Sequence, residues 1–145
     1  MTGATSGIGK ATAHALAAFG ATLVIHGRSR SKVERTLAEI KAASGNEDIH
    51  VLLADFASLE QVATLARNFQ DQFGVLHVLI NNAGLLTDHH QISSDGFELT
   101  FAVNHLAPFL LTHRLLGTLS DSAPARIATN SSTAMGGGQI RFDDL

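Results

Sequence analysis

Cysteine, tyrosine and tryptophan are absent from this 145-residue chain, and proline occurs only twice. Without cysteine there is no disulfide and no thiolate metal site. Without tyrosine, no phenol is available as an acid or base. Charge is scarce as well: 16% of residues are Asp, Glu, Lys or Arg, and the net charge is −3. That balance lacks the basic footprint of a nucleic-acid binder. No charged segment followed by an apolar run opens the chain, so no signal peptide is expected. The longest apolar stretch, FAVNHLAPFLLTHRLL, contains Asn104, His105, Pro108, His113 and Arg114. It reads as a buried helix rather than a membrane span, and the expected location is cytoplasmic. The adjacent His89 and His90 could bind a metal, but loop histidines usually face solvent, and no metal site is expected.

Apolar residues make up 45% of the chain, a globular balance for one domain over residues 1–145. Helical and strand-like patterns alternate. Helices are expected over 9–19, 31–43, 58–73 and 95–119, the last bent near Pro108. Gly20 and Gly45 are stop signals, and Ser58 with Gln61 has capping-box spacing. Strands are expected over 21–26, 49–54, 77–80 and 125–129, with loops over 81–94 and after 129. Such alternation implies an α/β fold: a doubly wound parallel sheet with helices on both faces. These sheets bind ligands at the carboxyl ends of their strands.

The segment Met1 to Thr12, MTGATSGIGKAT, looks built for a phosphate. A P-loop needs G-x-x-x-x-G-K-[ST]. From Gly3 its second glycine falls on Ile8, and Lys10 is followed by Ala11, which cannot ligate Mg²⁺. The alternative is a dinucleotide loop, whose glycines let backbone N–H groups approach a pyrophosphate at a helix N-terminus.

The loop's spacing, Thr2-Gly3-x-x-x-Gly7-x-Gly9, resembles the TGxxxGxG signature of short-chain dehydrogenases/reductases. Further matches follow in order: Asp55 in LLADF, Asn81-Asn82-Ala83-Gly84 as NNAG, Asn104 in FAVNHLAPF, and Ser131-Ser132. The stretches FELTFAVNHLAPFLLT and MGGGQIRFDDL resemble the retinol-dehydrogenase-like branch. The resemblance implies a Rossmann-type fold that lacks its first strand and its C-terminal elements. Met1 stands where that strand would end, so truncation at both ends is the expectation. An internal start codon or an incomplete gene model would account for it.

The resemblance also implies roles. Gly3, Gly7 and Gly9 would admit the pyrophosphate, with contacts from Ser6 and Ile8. Asp55 would accept from the adenine amino group. Asn82, Ala83 and Gly84 would pass close to the ribose, while Asn81 would tie strands together. Ser132, rather than Ser131, would bond the substrate oxygen, and Asn104 would hold a relay water through its backbone carbonyl. Before the serines stands Thr129-Asn130, where the family has asparagine and then an apolar residue.

Cofactor choice is read at the end of the strand after the loop, where NAD enzymes place a carboxylate. This chain has His26-Gly27-Arg28-Ser29-Arg30-Ser31-Lys32, with no acid. A guanidinium binds a 2′-phosphate bidentately, so Arg28 favours NADP, with Arg30 and Lys32 secondary. The family's Tyr-x-x-x-Lys is missing. At the commonest spacing its tyrosine falls on Leu145. The expected function is therefore hydride transfer between NADP(H) and a small alcohol or carbonyl substrate, lipophilic by branch resemblance, with these 145 residues inactive alone. The alternative is a non-catalytic nucleotide-binding module of the same half-fold. A homo-oligomer is compatible with the full-length family fold.

Overall fold

Short runs of β-branched and leucine residues build two parallel strand pairs in the computed structural model, which describes residues 1–138. Strand β1 (Leu23–Gly27) lies beside β2 (Ile49–Leu53), with Leu23 opposite Ile49 and Gly27 opposite Leu53. Strand β3 (Val78–Asn81) lies beside β4 (Arg126–Thr129), with Val78 opposite Arg126 and Asn81 opposite Thr129. Side chains alternate across each strand. Leu23, Ile25 and Ile49 pack with Ala13 and Ala17 of helix α1 (Gly7–Ala18) and Val33 and Ile40 of helix α2 (Arg30–Ser44). On the other side, Leu52 and Leu79 pack with Val62, Leu65 and Phe69 of α3 (Leu59–Gln72) and Leu111 and Leu115 of α5 (Ala107–Asp121). Helices thus cover both faces, as a parallel α/β sheet requires.

The sheet is divided, in keeping with the expected lack of the family's first strand: it is two two-stranded sheets, and residues 1–4 lie between them. Thr2 N donates to Ile80 O on the β3 side, whereas Ala4 N donates to His26 O and Met1 O accepts from His26 N on the β1 side. So short a segment holds the two pairs together at one end without completing a ladder.

Helix boundaries follow local caps. α1 starts two residues earlier than expected because extended Ser6 is its N-cap. Ser58 caps α3 by accepting from Gln61 N at 3.3 Å. The reciprocal half of the capping box is diverted, because Gln61 Oε1 accepts from Asp55 N at 2.9 Å. Residues 95–98 are not helical. Asp95 instead accepts from Leu59 N at 2.8 Å, serving the start of α3. The helix begins at α4 (Leu99–Phe101), where the Glu98 carboxylate accepts from Thr100 N and Phe101 N. These two bonds hold its carboxyl below the usual carboxylate range. Before Pro108 there is a π turn, Ala102–Leu106, in which Ala107 N reaches back to Ala102 O. Proline has no N–H to give the Asn104 carbonyl, and the wider turn accommodates that gap. Past β4, a 3₁₀ turn spans Thr133–Gly137 in a stretch expected to be loop. The Leu145 slot lies outside the described residues.

Candidate functional site

The ends of all four strands open into one cleft of about 940 Å³. That is near the upper end of the roughly 300–1,000 Å³ usual for small-molecule and cofactor sites. Gly3, Ser6, Gly7, Ile8 and Gly9 line it from the loop before α1. Arg28 lines it after β1, Asp55 and Phe56 after β2, Asn82, Ala83 and Gly84 after β3, and Ser131 and Ser132 after β4. Asn104 lines it from the π turn. The expected site residues are therefore brought to this one cavity, except the secondary candidate Arg30, which does not line it.

The loop glycines are needed for distinct reasons. Gly3 and Gly7 have left-handed backbones, φ 66° and 51°. Gly9 is needed for space: a Cβ there would sit 2.1 Å from Gly3 O and 2.3 Å from Asn82 Nδ2. Ser6 makes no side-chain cap, and both it and Ile8 are exposed, Ile8 to 72%. The first turn of α1 thus presents backbone donors and the positive end of the helix dipole to the cleft. Lys10 points elsewhere, pairing with Glu39 of α2. This agrees with rejecting a P-loop.

A partly buried clamp holds the loop. Thr2 Oγ1 accepts from Asn82 N and Ala83 N, both at 3.0 Å. Asn82 Nδ2 donates to Thr2 O and Gly3 O at 3.0 and 2.9 Å, and its Oδ1 accepts from Asn130 Nδ2 at 2.6 Å. Asn82, not Asn81, is therefore the amide that ties segments together. Asn81 Nδ2 reaches sideways to Thr112 Oγ1 on α5 at 3.0 Å. Asn130, the departure from the family pattern, joins the β4 end to this clamp. Sequence reading missed it, because its partner lies 48 residues away.

Further round, Asp55 forms a strand-end turn, its Oδ1 accepting from Ala57 N at 2.9 Å. The same residue still faces the cleft. Arg28 is exposed and pairs with no acid among the described residues, and Lys32 lines the cleft beside it. Arg30 pairs with Glu34 at 3.4 Å. The Asn104 side chain is committed to Leu85: Nδ2 donates to its O at 2.8 Å and Oδ1 accepts from its N at 2.9 Å. Its main-chain carbonyl is the group to which Pro108 offers no donor. Ser131 and Ser132 are both exposed at the rim.

Beside Asp55, His26 and Phe56 were not singled out by the sequence. His26 is 6% exposed and stacks on Phe56 with centroids 4.4 Å apart. Burial pushes its pKa down to about 4, although the Ala54 carbonyl that accepts from Nε2 at 3.0 Å acts the other way. No group of three His, Asp or Glu able to hold a metal occurs among the described residues. No helix described is long and apolar enough to cross a membrane.

The chemistry of the donor set suits a dinucleotide. Glycine N–H groups and a helix start face one part of the cleft, an unpaired guanidinium another, and hydroxyl and amide groups a third. Comparison with known proteins agrees. The family model for short chain dehydrogenase matches residues 1–142. Retinol dehydrogenase 12 of Bos taurus is 45% identical over 145 residues, covering 100% of this chain and 46% of that protein. The chain thus spans about half the length of the curated relatives it matches. Among solved structures, a short chain dehydrogenase from Shigella flexneri superposes with TM-score 0.81 at 28% identity, over 95% of this chain and 56% of that one. An alcohol dehydrogenase from Thermococcus sibiricus, complexed with 5-hydroxy-NADP, gives TM-score 0.80 at 26% identity, over 98% and 60%.

Proposed function

Since the chain belongs to the short-chain dehydrogenase family, we propose that its cleft binds NADP(H) for hydride transfer to or from an alcohol or carbonyl substrate. The single observation that carries the cofactor choice is Arg28, an unpaired guanidinium at the end of β1 where an NAD enzyme would place a carboxylate. The nicotinamide supplies or accepts the hydride when bound. Gly3, Gly7 and Gly9 let the first turn of α1 approach the pyrophosphate, with Ser6 and Ile8 at its edge. Arg28 and Lys32 hold the 2′-phosphate, and Asp55 accepts from the adenine amino group. Asn82, Ala83 and Gly84, kept in place by Thr2, form the wall along the ribose.

Ser132 donates to the substrate oxygen, and the Asn104 carbonyl holds a water of the proton path. No tyrosine occurs among these 145 residues. They therefore bind and orient but lack the phenol acid of the family, and alone they are expected to bind cofactor without turnover. The names of the similar retinol dehydrogenases point to a lipophilic alcohol or aldehyde as substrate.

Titrating NADPH and NADH into wild type and Arg28→Ala tests the reading. NADPH should lose roughly 1.5–3 kcal/mol on substitution, the worth of hydrogen bonds to a charged group. NADH should barely change. Equal losses for both cofactors would refute the assignment.

A further inference from the structure

One imidazole grips both sequence neighbours of Asp55. His26 Nε2 donates to Ala54 O at 3.0 Å, and the ring lies on Phe56 with centroids 4.4 Å apart and planes 21° apart. We propose that His26 is a positioning residue for the adenine end of the bound dinucleotide, setting Asp55 against the base by holding Ala54 and Phe56 on either side of it. The inference rests on the dinucleotide reading of the cleft and adds a residue to it.

Geometry supports the role at each step. A carbonyl can only accept, so Nε2 carries a proton, and burial of the ring favours its neutral form. Its Nδ1 is buried without a partner among the described residues. Leaving a buried acceptor unmade is unfavourable, so the ring is not simply the best filler for that space. An apolar side chain would stack on Phe56 equally well. What it would lose is the bond across from the end of β1 to the end of β2. Asp55 is fixed on its remaining sides by Gln61 Oε1 on its N–H and by Ala57 N on Oδ1. With His26 added, the carboxylate has little freedom left, and a preorganised acceptor binds with less ordering to pay for. His26 also shares the cleft wall with Arg28, two residues on. The adenosine half of the ligand is thus the half it can affect. Toward the other half, the side chains of Asn82 and Asn104 bond instead to Thr2, Gly3 and Asn130 and to Leu85.

The test separates the two halves of the cofactor. Adenosine 2′,5′-bisphosphate and reduced nicotinamide mononucleotide are titrated calorimetrically into the full chain as wild type, His26→Phe and His26→Gln. Phenylalanine keeps the stack and loses the bond, so the bisphosphate should weaken about tenfold, the equivalent of one hydrogen bond. Glutamine keeps a donor for Ala54 and loses the stack, so the bisphosphate should weaken about threefold. The mononucleotide should not move with either. Glutamine alone decides the matter if phenylalanine prevents folding. Unchanged bisphosphate affinity, or equal weakening of both halves, would overturn the role. Wild type binding neither the bisphosphate nor the whole dinucleotide would instead overturn the dinucleotide reading, and this role with it.

Discussion

Gly9 and Gly117 sit in helices with right-handed backbones, yet alanine should have opposite effects at the two. At Gly117, on the exposed side of α5, an added Cβ meets nothing within 4 Å. Alanine there should gain about 0.5–1 kcal/mol through helix propensity and a less flexible unfolded chain. At Gly9 the same gain is opposed by contact. The new Cβ would stand 2.1 Å from Gly3 O and 2.3 Å from Asn82 Nδ2, and neither atom belongs to a mobile side-chain end. Gly3 O accepts from Asn82 Nδ2, Asn82 is held by Thr2 and Asn130, and Gly3 is itself pressed against Ala83. Relief requires the loop or the clamp to shift by more than about 1 Å, since ordinary carbon contacts begin near 3.5 Å. Overpacking of this kind costs about 1–3 kcal/mol, and a broken buried hydrogen bond about 1–3 more. Set against the propensity gain, the net loss should be about 1–5 kcal/mol. Urea unfolding followed by circular dichroism measures both variants, and an NADPH titration should show weakened binding only for Gly9→Ala. Equal signs of the stability change at the two glycines would refute the steric argument.

In a protein joining these residues to the family's tyrosine and lysine, Ser132→Ala should lower turnover by about 10²–10³ while NADPH affinity holds. A larger effect from Ser131→Ala would transfer the role to that serine. Asn82→Ala removes the partner of Thr2 O, Gly3 O and Asn130 Nδ2 together, and should cost roughly 2–4 kcal/mol in urea unfolding. A loss under about 1 kcal/mol would contradict the clamp. The pH dependence of stability follows from buried His26. Its folded pKa of about 4 lies below the unfolded 6.5, so between these values the unfolded chain binds the extra proton. Its contribution is present in full above about 6.5, falls by about 3 kcal/mol as pH drops to about 4, and then levels. Subtracting the profile of His26→Phe isolates this slope. A flat difference would mean the ring is not buried as neutral imidazole.

Much of the site was legible because its signals are local. The spacing of Gly3, Gly7 and Gly9 and the positions of Asp55, Asn82 and Ser132 just past short apolar runs already place them on one edge of a parallel sheet. The cleft contains all of them. Parts that depend on distant partners were not legible. Asn82 looks no different from Asn81 in the sequence, and only folding gives it Thr2 and Asn130. His26 is one of eight histidines, and nothing nearby in the chain announces Ala54 or Phe56 as its neighbours. The helix expected from residue 95 failed because Asp95 is drawn to another helix, leaving Glu98 to cap. The bend expected at Pro108 became a π turn just before it, since a missing donor disturbs the turn that precedes the proline.

The central claim is that the strand-end cleft holds a phosphorylated dinucleotide along a defined path. Amide chemical shifts of isotope-labelled protein, followed during NADPH addition, test it most directly. The account predicts saturable shifts at Gly3 to Gly9, Arg28, Asp55 and Asn82 to Gly84, with those at Arg28 much reduced when NADH replaces NADPH. Shifts centred elsewhere, such as the exposed His89 and His90 loop, or none at the residues of the cleft, would contradict it.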